Sequence, residues 1–489
     1  MLFNSIDFAI FFPIVFVIYW IVSGKLKIRN IVVLISSYIF YGWWDWRFLF
    51  LIAISTLVDF YVGKKLSITE NKITRKKLLF ISLAVNLGFL FYFKYTNFFI
   101  DTFVESFKLF GKTLEVSTLN IILPVGISFY TFQTLSYTID IYRKRFKPTD
   151  DLIAFSAFVA FFPQLVAGPI ERASHLLPQF FKTYKFNYAL VKSGLLLMAF
   201  GLFKKMVIAD RAALYVNEVY NNPSNYEGVE TIMATVLFAF QIYCDFSGYS
   251  DIAIGAARTM GFDLMKNFDS PYLSKSITEF WRRWHISLST WFRDYVYIPL
   301  GGSRKGEFRT YFNLFLVFLV SGLWHGAAMT FVIWGAIHGI IIVIEKAISK
   351  NKERVFRKLN INKENISNRL VFVFINFVIV CFAWVFFRAN SFADSKLIVA
   401  GFFNNNFDAL FGDEIYLIGL QDNEFKLLIF AIIGLVVVER FHRKRSLVKI
   451  LNQQALLFRW SVYVLIALFI MIFGVYGDNN ISEFIYFQF

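Results

Sequence analysis

The chain has few cysteines, few prolines and little charge: 2 Cys, 9 Pro and 17% charged residues in 489 positions. Cys244 and Cys381 lie far apart in apolar surroundings and form no CxxC pair. Neither redox chemistry nor structural zinc is supported. Soluble domains carry charge at about 25% of positions. The deficit, set beside 57% hydrophobic residues, excludes a string of soluble domains. No GxGxxG occurs, and Glu307 stands where a phosphate loop spaced on Gly301 and Gly306 would need lysine. No histidine is followed by aspartate five residues on. Dinucleotide chemistry, ATP-driven transport and HxxxxD-type acyl transfer lose their main signals. The opening MLFNSIDFAIFFPIVFVIYW lacks a basic start and a small-residue cleavage site, which predicts a retained span rather than a removed leader.

What is present is apolar bulk, with 63 Phe, 24 Tyr and 11 Trp. The apolar runs are continuous rather than alternating, which predicts an all-α polytopic membrane protein, one integral-membrane domain over 1–489, and not a barrel. Segments able to cross or nearly cross a bilayer run over 4–22, 30–44, 46–63, 78–100, 121–142, 190–210, 231–250, 310–325, 327–346, 369–388, 426–440 and 458–476. The stretch 152–167 is closed by Pro163 and by Gly168-Pro169 and is predicted to be re-entrant.

The formal net charge of +16 marks cytoplasmic loops rather than a nucleic-acid site. Basic clusters at 25–29, 64–77, 143–145, 263–309, 346–369 and 440–445 are placed inside. The acidic connections 211–230 and 389–425 are placed outside, and both termini follow them.

Five histidines are candidates for chemistry: His175, His285, His325, His338 and His442. His442 sits in the basic run FHRKR and is expected at the surface. His175 lies in a polar connection with no evident catalytic partner. From Arg309 to Trp324 a helix rises about 22 Å, short of the hydrocarbon thickness. The turn Ser321-Gly322-Leu323-Trp324-His325-Gly326 is therefore predicted inside the membrane. A buried His325 would be neutral and able to accept a proton. Intramembrane ionisable groups are functional by default, although a packing histidine remains open. His338, framed by Gly335 and Gly339, is expected to face away from His325 and to pack or line a tunnel.

Around His285, the residues Trp281, Trp284, Leu288, Trp291, Phe292 and Tyr295 recur at helical spacing. Glu279 can pair with Arg283. This predicts an amphipathic interfacial helix, either a surface anchor or the rim of a tunnel with His285 turned inward. Arg282, Arg283, Arg304 and Lys305 would then meet the phosphates of a donor.

These features together resemble the membrane-bound O-acyltransferase family, in its bacterial alginate O-acetylation branch. The matching stretches are LPVGISF at 123–129, FPQLVAGPI at 162–170, YCDFSGYSD at 243–251, FWRRWHISLSTWFRDYVYIPLGG at 280–302, SGLWHGAAMTFVIWGAIHG at 321–339 and WVFFRAN at 384–390. The opening MLFNS and closing FIYFQF are similar too. The resemblance implies a ring of about 11–12 tilted transmembrane helices, with re-entrant and interfacial helices, around a central tunnel. The core would span about 121–390, flanked by 1–120 and 391–489. It places the active-site histidine at His325 and the second family position at His285, with Ser321, Gly322, Trp324, Gly326 and His338 lining or packing.

The implied activity is acetyl transfer from cytoplasmic acetyl-CoA, a substrate rather than a tightly bound cofactor, with no metal. An SGNH-type periplasmic or extracellular acetyltransferase would be the partner, in a bacterial plasma membrane, with membrane lipid around the protein and no nucleic acid. Two other readings stay open. One is a D-alanyl transferase for teichoic acid using a carrier-protein thioester. The other is a glycan or lipid transporter using Asp59, Lys94, Asp140, Asp245 and Arg258 as intramembrane charges.

Overall fold

The computed structural model describes residues 1–489 apart from 109–118, 120, 167, 360, 363–364, 405, 407–411, 413, 443–446, 477–483 and 486–489. Among the described residues there are helices and no strand. Each apolar segment expected to cross carries a helix, although 121–142 is helical only over Ile127–Tyr142. Among the described residues, six helices are long and apolar enough to cross a membrane: Trp46–Ile68, Lys72–Val104, Val229–Thr259, Met329–Ser349, Ile366–Arg388 and Leu456–Phe473. The protein is thus a multi-pass membrane protein. Its many exposed Ile, Leu and Phe side chains, among them Ile6, Ile21, Phe374 and Leu457, suit a lipid solvent.

The chain divides into two compact units, Met1–Met198 with Ile252–Met265, and Ala199–Asp251 with Lys266–Phe489. In the first, the helices Leu49–Ile68, Lys72–Leu90 and Ile127–Tyr142 pack on one another. A buried polar knot pins them. The Asp59 carboxylate accepts from Asn86 Nδ2 at 2.9 Å, Thr138 Oγ1 at 3.1 Å and Ser82 Oγ at 2.5 Å. Three donors satisfy a carboxylate that burial would otherwise leave costly.

The stretch expected to be re-entrant is a short helix, Leu152–Val159, broken at Ala160 and restarted at Phe162–Leu165 with Pro163 in its first turn. Phe155, Phe158, Phe161, Phe162 and Leu165 are fully buried, and Gln133 Nε2 donates to the Phe158 carbonyl at 2.9 Å. A break in helical hydrogen bonding at this place is covered by protein.

The second unit holds a buried ionic knot. Lys205 Nζ lies 2.8 Å from both Asp210 Oδ1 and Asp245 Oδ1, and the Ile485 N–H donates to Asp245 Oδ2 at 2.7 Å. Lys205 belongs to a π-helical segment, Phe203–Ala209, whose extra residue per turn leaves Lys204 free to reach Asp251 at 2.5 Å and Ser247 at 2.8 Å. Two of the charges weighed for transport, Asp59 and Asp245, are therefore engaged in packing contacts.

Candidate active site

His325 is the last residue of the helix Glu307–His325. The turn expected over 321–326 begins only at Gly326, so Ser321 to His325 form a final helical turn. The reason is capping: the Gly326 N–H still bonds to the Gly322 carbonyl at 3.4 Å. The chain then reverses within three residues and enters the helix Met329–Lys358. The two helices touch at Gly322 and Gly335. A Cβ on Gly335 would lie 2.5 Å from the Phe318 carbonyl oxygen and 3.2 Å from Gly322 Cα. Only hydrogen-sized side chains allow this approach.

The close pairing holds His325 at 3% exposure among aromatic rings. Its centroid lies 4.9 Å from Trp324, 5.0 Å from Trp334 and 5.3 Å from Phe387. Ser321 lies one turn back on the same face and is also buried.

His285 is placed by a break rather than by a helix. The amphipathic helix expected over this stretch is two short helices, Ile277–Trp281 and Ile286–Phe292. Between them His285 takes the left-handed conformation, φ 44° and ψ 55°. That costs a non-glycine residue roughly 1–2 kcal/mol and needs surroundings that enforce it. The large side chains of this stretch point inward: Trp281, Trp284, Leu288, Trp291 and Phe292 are all buried. His285 is fully buried, with Phe246 edge-on at 4.6 Å. Burial pushes its imidazole down to about 3, so the ring is neutral.

The two histidines share a neighbour. The Trp324 indole sits 6.1 Å from the His285 ring and 4.9 Å from that of His325. His338 lies on the other side, with Trp334 between it and His325 at 5.0 Å from each. Its Nδ1 accepts from Trp281 Nε1 at 3.3 Å. That bond leaves the proton on Nε2 and ties the Met329–Lys358 helix to the Ile277–Trp281 helix.

The basic residues differ among themselves. Arg283 is half-buried and pairs with Glu279, as the i,i+4 spacing predicted. Arg282, Arg304 and Lys305 are exposed. The last two occupy a turn built on Gly301, Gly302 and Gly306, all at positive φ. In the first unit, His175 does have a carboxylate partner: Glu171 Oε2 is 2.8 Å from its Nδ1, and Asp263 Oδ2 is 3.5 Å from Nε2. The Glu171 hydrogen bond raises the His175 pKa. An i,i+4 Glu–His pair was visible in the sequence, and the expectation of no partner is corrected. The side chain of His442 and most of FIYFQF lie outside the described residues.

The matching stretches contained Phe246, Trp334 and Phe387 without marking them as neighbours of these histidines, and no sequence pattern pointed to Asn267. Aromatics at helical spacing are too common in this chain to mark a site, and Asn267 stands in an irregular connection without periodicity.

Residues 46–389 match the family MBOAT, membrane-bound O-acyltransferase. A probable alginate O-acetylase of Pseudomonas aeruginosa is 43% identical over 80% of this chain and 72% of its own length. A peptidoglycan O-acetyltransferase of Helicobacter pylori is 35% identical over 82% of this chain and 79% of its own. A teichoic acid D-alanyltransferase of Bacillus subtilis is 28% identical over 56% of this chain and 70% of its own. The chain belongs to the membrane-bound O-acyltransferase family.

Proposed function

We propose that this protein is the membrane O-acetylase of an extracytoplasmic polysaccharide, taking acetyl from acetyl-CoA and passing it outward. The observation that carries the reading is the pair of buried histidines, His325 and His285, that share Trp324 as a neighbour in a chain of this family. In the proposed step His325 takes the proton of the acceptor hydroxyl as its oxygen attacks the thioester carbonyl. The carbon–sulfur bond breaks and the proton passes to the departing CoA sulfur, so no net proton is consumed.

The negative charge on the carbonyl oxygen needs donors. The helix Met329–Lys358 starts four residues after His325, and its first-turn N–H groups have no carbonyl within the helix. Its positive dipole end suits an oxyanion there. Arg282, Arg304 and Lys305 would bind the CoA phosphates on the cytoplasmic side. A ring of tilted helices around a tunnel would let acetyl cross without CoA.

The acceptor relay would be an SGNH-type acetyltransferase outside the membrane. The names of the relatives in Pseudomonas aeruginosa and Helicobacter pylori support acetyl over D-alanyl. The test incubates the purified protein with labelled acetyl-CoA, with and without such a partner. Label reaching the partner or the glycan is expected. Transfer only from a carrier-protein thioester would overturn the reading in favour of D-alanylation.

A further inference from the structure

His285 holds a backbone conformation that its own side chain disfavours, so something must hold the turn. The holding groups come from the segment 267–269, and Asn267 makes most of the bonds. The Asn267 carbonyl accepts the Ile286 N–H at 2.9 Å. Its side-chain Oδ1 accepts Ser287 Oγ at 2.6 Å and the Ser287 N–H at 3.4 Å. Its Nδ2 donates to Ser250 Oγ at 3.1 Å, on the helix Val229–Thr259. Two residues on, the Asp269 N–H donates to the Arg283 carbonyl at 3.0 Å. The turn is thus clamped on both sides of His285, and the clamp is buried: Asn267 is 1% exposed, Ser250 1% and Ser287 0%.

We infer that Asn267 is a positioning residue for His285: it fixes the left-handed turn that aims the imidazole into the aromatic site. The inference rests on the role given to His285 above. Asn267 never meets donor or acceptor itself. Its amide does two jobs at once, accepting from the turn and donating to the long helix behind it. Alanine removes both, whereas aspartate keeps the acceptor side that grips Ser287. Since misplacing a reacting group by about 1 Å costs on the order of 10²-fold, the loss belongs in kcat. Donor binding at the basic residues is separate.

The test measures acetyl transfer by the full-length protein in detergent or proteoliposomes, at matched protein level. Asn267→Ala is expected to lower kcat roughly 10–100-fold, with KM for acetyl-CoA within about twofold. Asn267→Asp is expected to recover most of kcat. A merely structural role is separated by the double variant. In a His285→Ala background, Asn267→Ala should cost nothing further, because groups acting as a unit are not additive. An additive loss, an unchanged kcat in Asn267→Ala, or an Asn267→Asp as slow as Asn267→Ala overturns the inference. A fully active His285→Ala would instead overturn the role of His285, and is read from the same plate.

Discussion

Gly335 offers a direct test of how the helix pair sets the site. In Gly335→Ala the new Cβ would sit 2.5 Å from the Phe318 carbonyl oxygen and 3.2 Å from Gly322 Cα. An ordinary carbon–oxygen contact is about 3.3 Å, so the two helices must part by about 0.8 Å. Both obstacles are main chain and cannot swing aside. Overpacking of this kind costs about 1–3 kcal/mol. Replacing a helical glycine by alanine returns about 0.5–1 kcal/mol. A modest net destabilisation follows.

The effect on chemistry should be larger, because Trp334 is the preceding residue and its ring lies edge-on to His325 at 5.0 Å. A shift near 1 Å between these rings predicts a loss on the order of 10²-fold in acetyl transfer, with protein still present in the membrane. Two companions calibrate it. Gly339→Ala meets the Phe315 ring at 3.0 Å, and its backbone only at 3.3 Å, so its loss should be smaller. Gly434→Ala meets nothing within 4 Å and should be neutral or slightly stabilising. Transfer of label from acetyl-CoA, normalised to protein in the membrane fraction, measures all three. Wild-type turnover in Gly335→Ala would refute the idea that this close approach places His325.

Further outcomes are expected. His325→Ala should insert and accumulate normally yet lose acetylation by about 10²–10⁴-fold; His338→Ala should instead lower the protein level, since it loses the Trp281 bond, and a reversal of the two phenotypes in a blot-and-activity comparison would exchange their roles. Neutralising two of Arg282, Arg304 and Lys305 should raise KM for acetyl-CoA more than it lowers kcat, while Arg283→Gln, which breaks a pair with Glu279, should act mainly on stability; initial-rate kinetics and thermal unfolding separate them. Cysteine at Asn225 should react with a membrane-impermeant thiol reagent in intact cells, and cysteines at Lys65, Lys305 and Ser349 should not; labelling at Lys305 would place the donor mouth outside and end the directional scheme. The Glu171 carboxylate raises the His175 pKa, so this pair stabilises fully below the unfolded value of about 6.5 and fades as pH rises through the folded value; the thermal midpoint difference between wild type and His175→Gln should shrink on going from mildly acidic to alkaline buffer, and a difference that grows with pH would contradict it.

Much of this protein was written in local composition. Long apolar runs need no partner to become helices in lipid, because each satisfies its own backbone there. That is why each expected segment carries a helix. Glu279 and Arg283 likewise found each other through helical spacing alone. Burial of His325 was also legible from its place in an apolar run between Gly322 and Gly326. Other features depended on residues distant in sequence. Gly322 and Gly335 meet only when two helices cross, and the helix runs on to His325 where a turn was expected. Periodicity ran through 280–295 as though one helix continued. The chain breaks there because Asn267 hydrogen-bonds the turn from another segment and holds His285 at positive φ. Helical periodicity reports which side chains are apolar, and it is blind to a hydrogen bond arriving from elsewhere. His285 thus faces the Trp324 ring through tertiary contacts that no local pattern encodes.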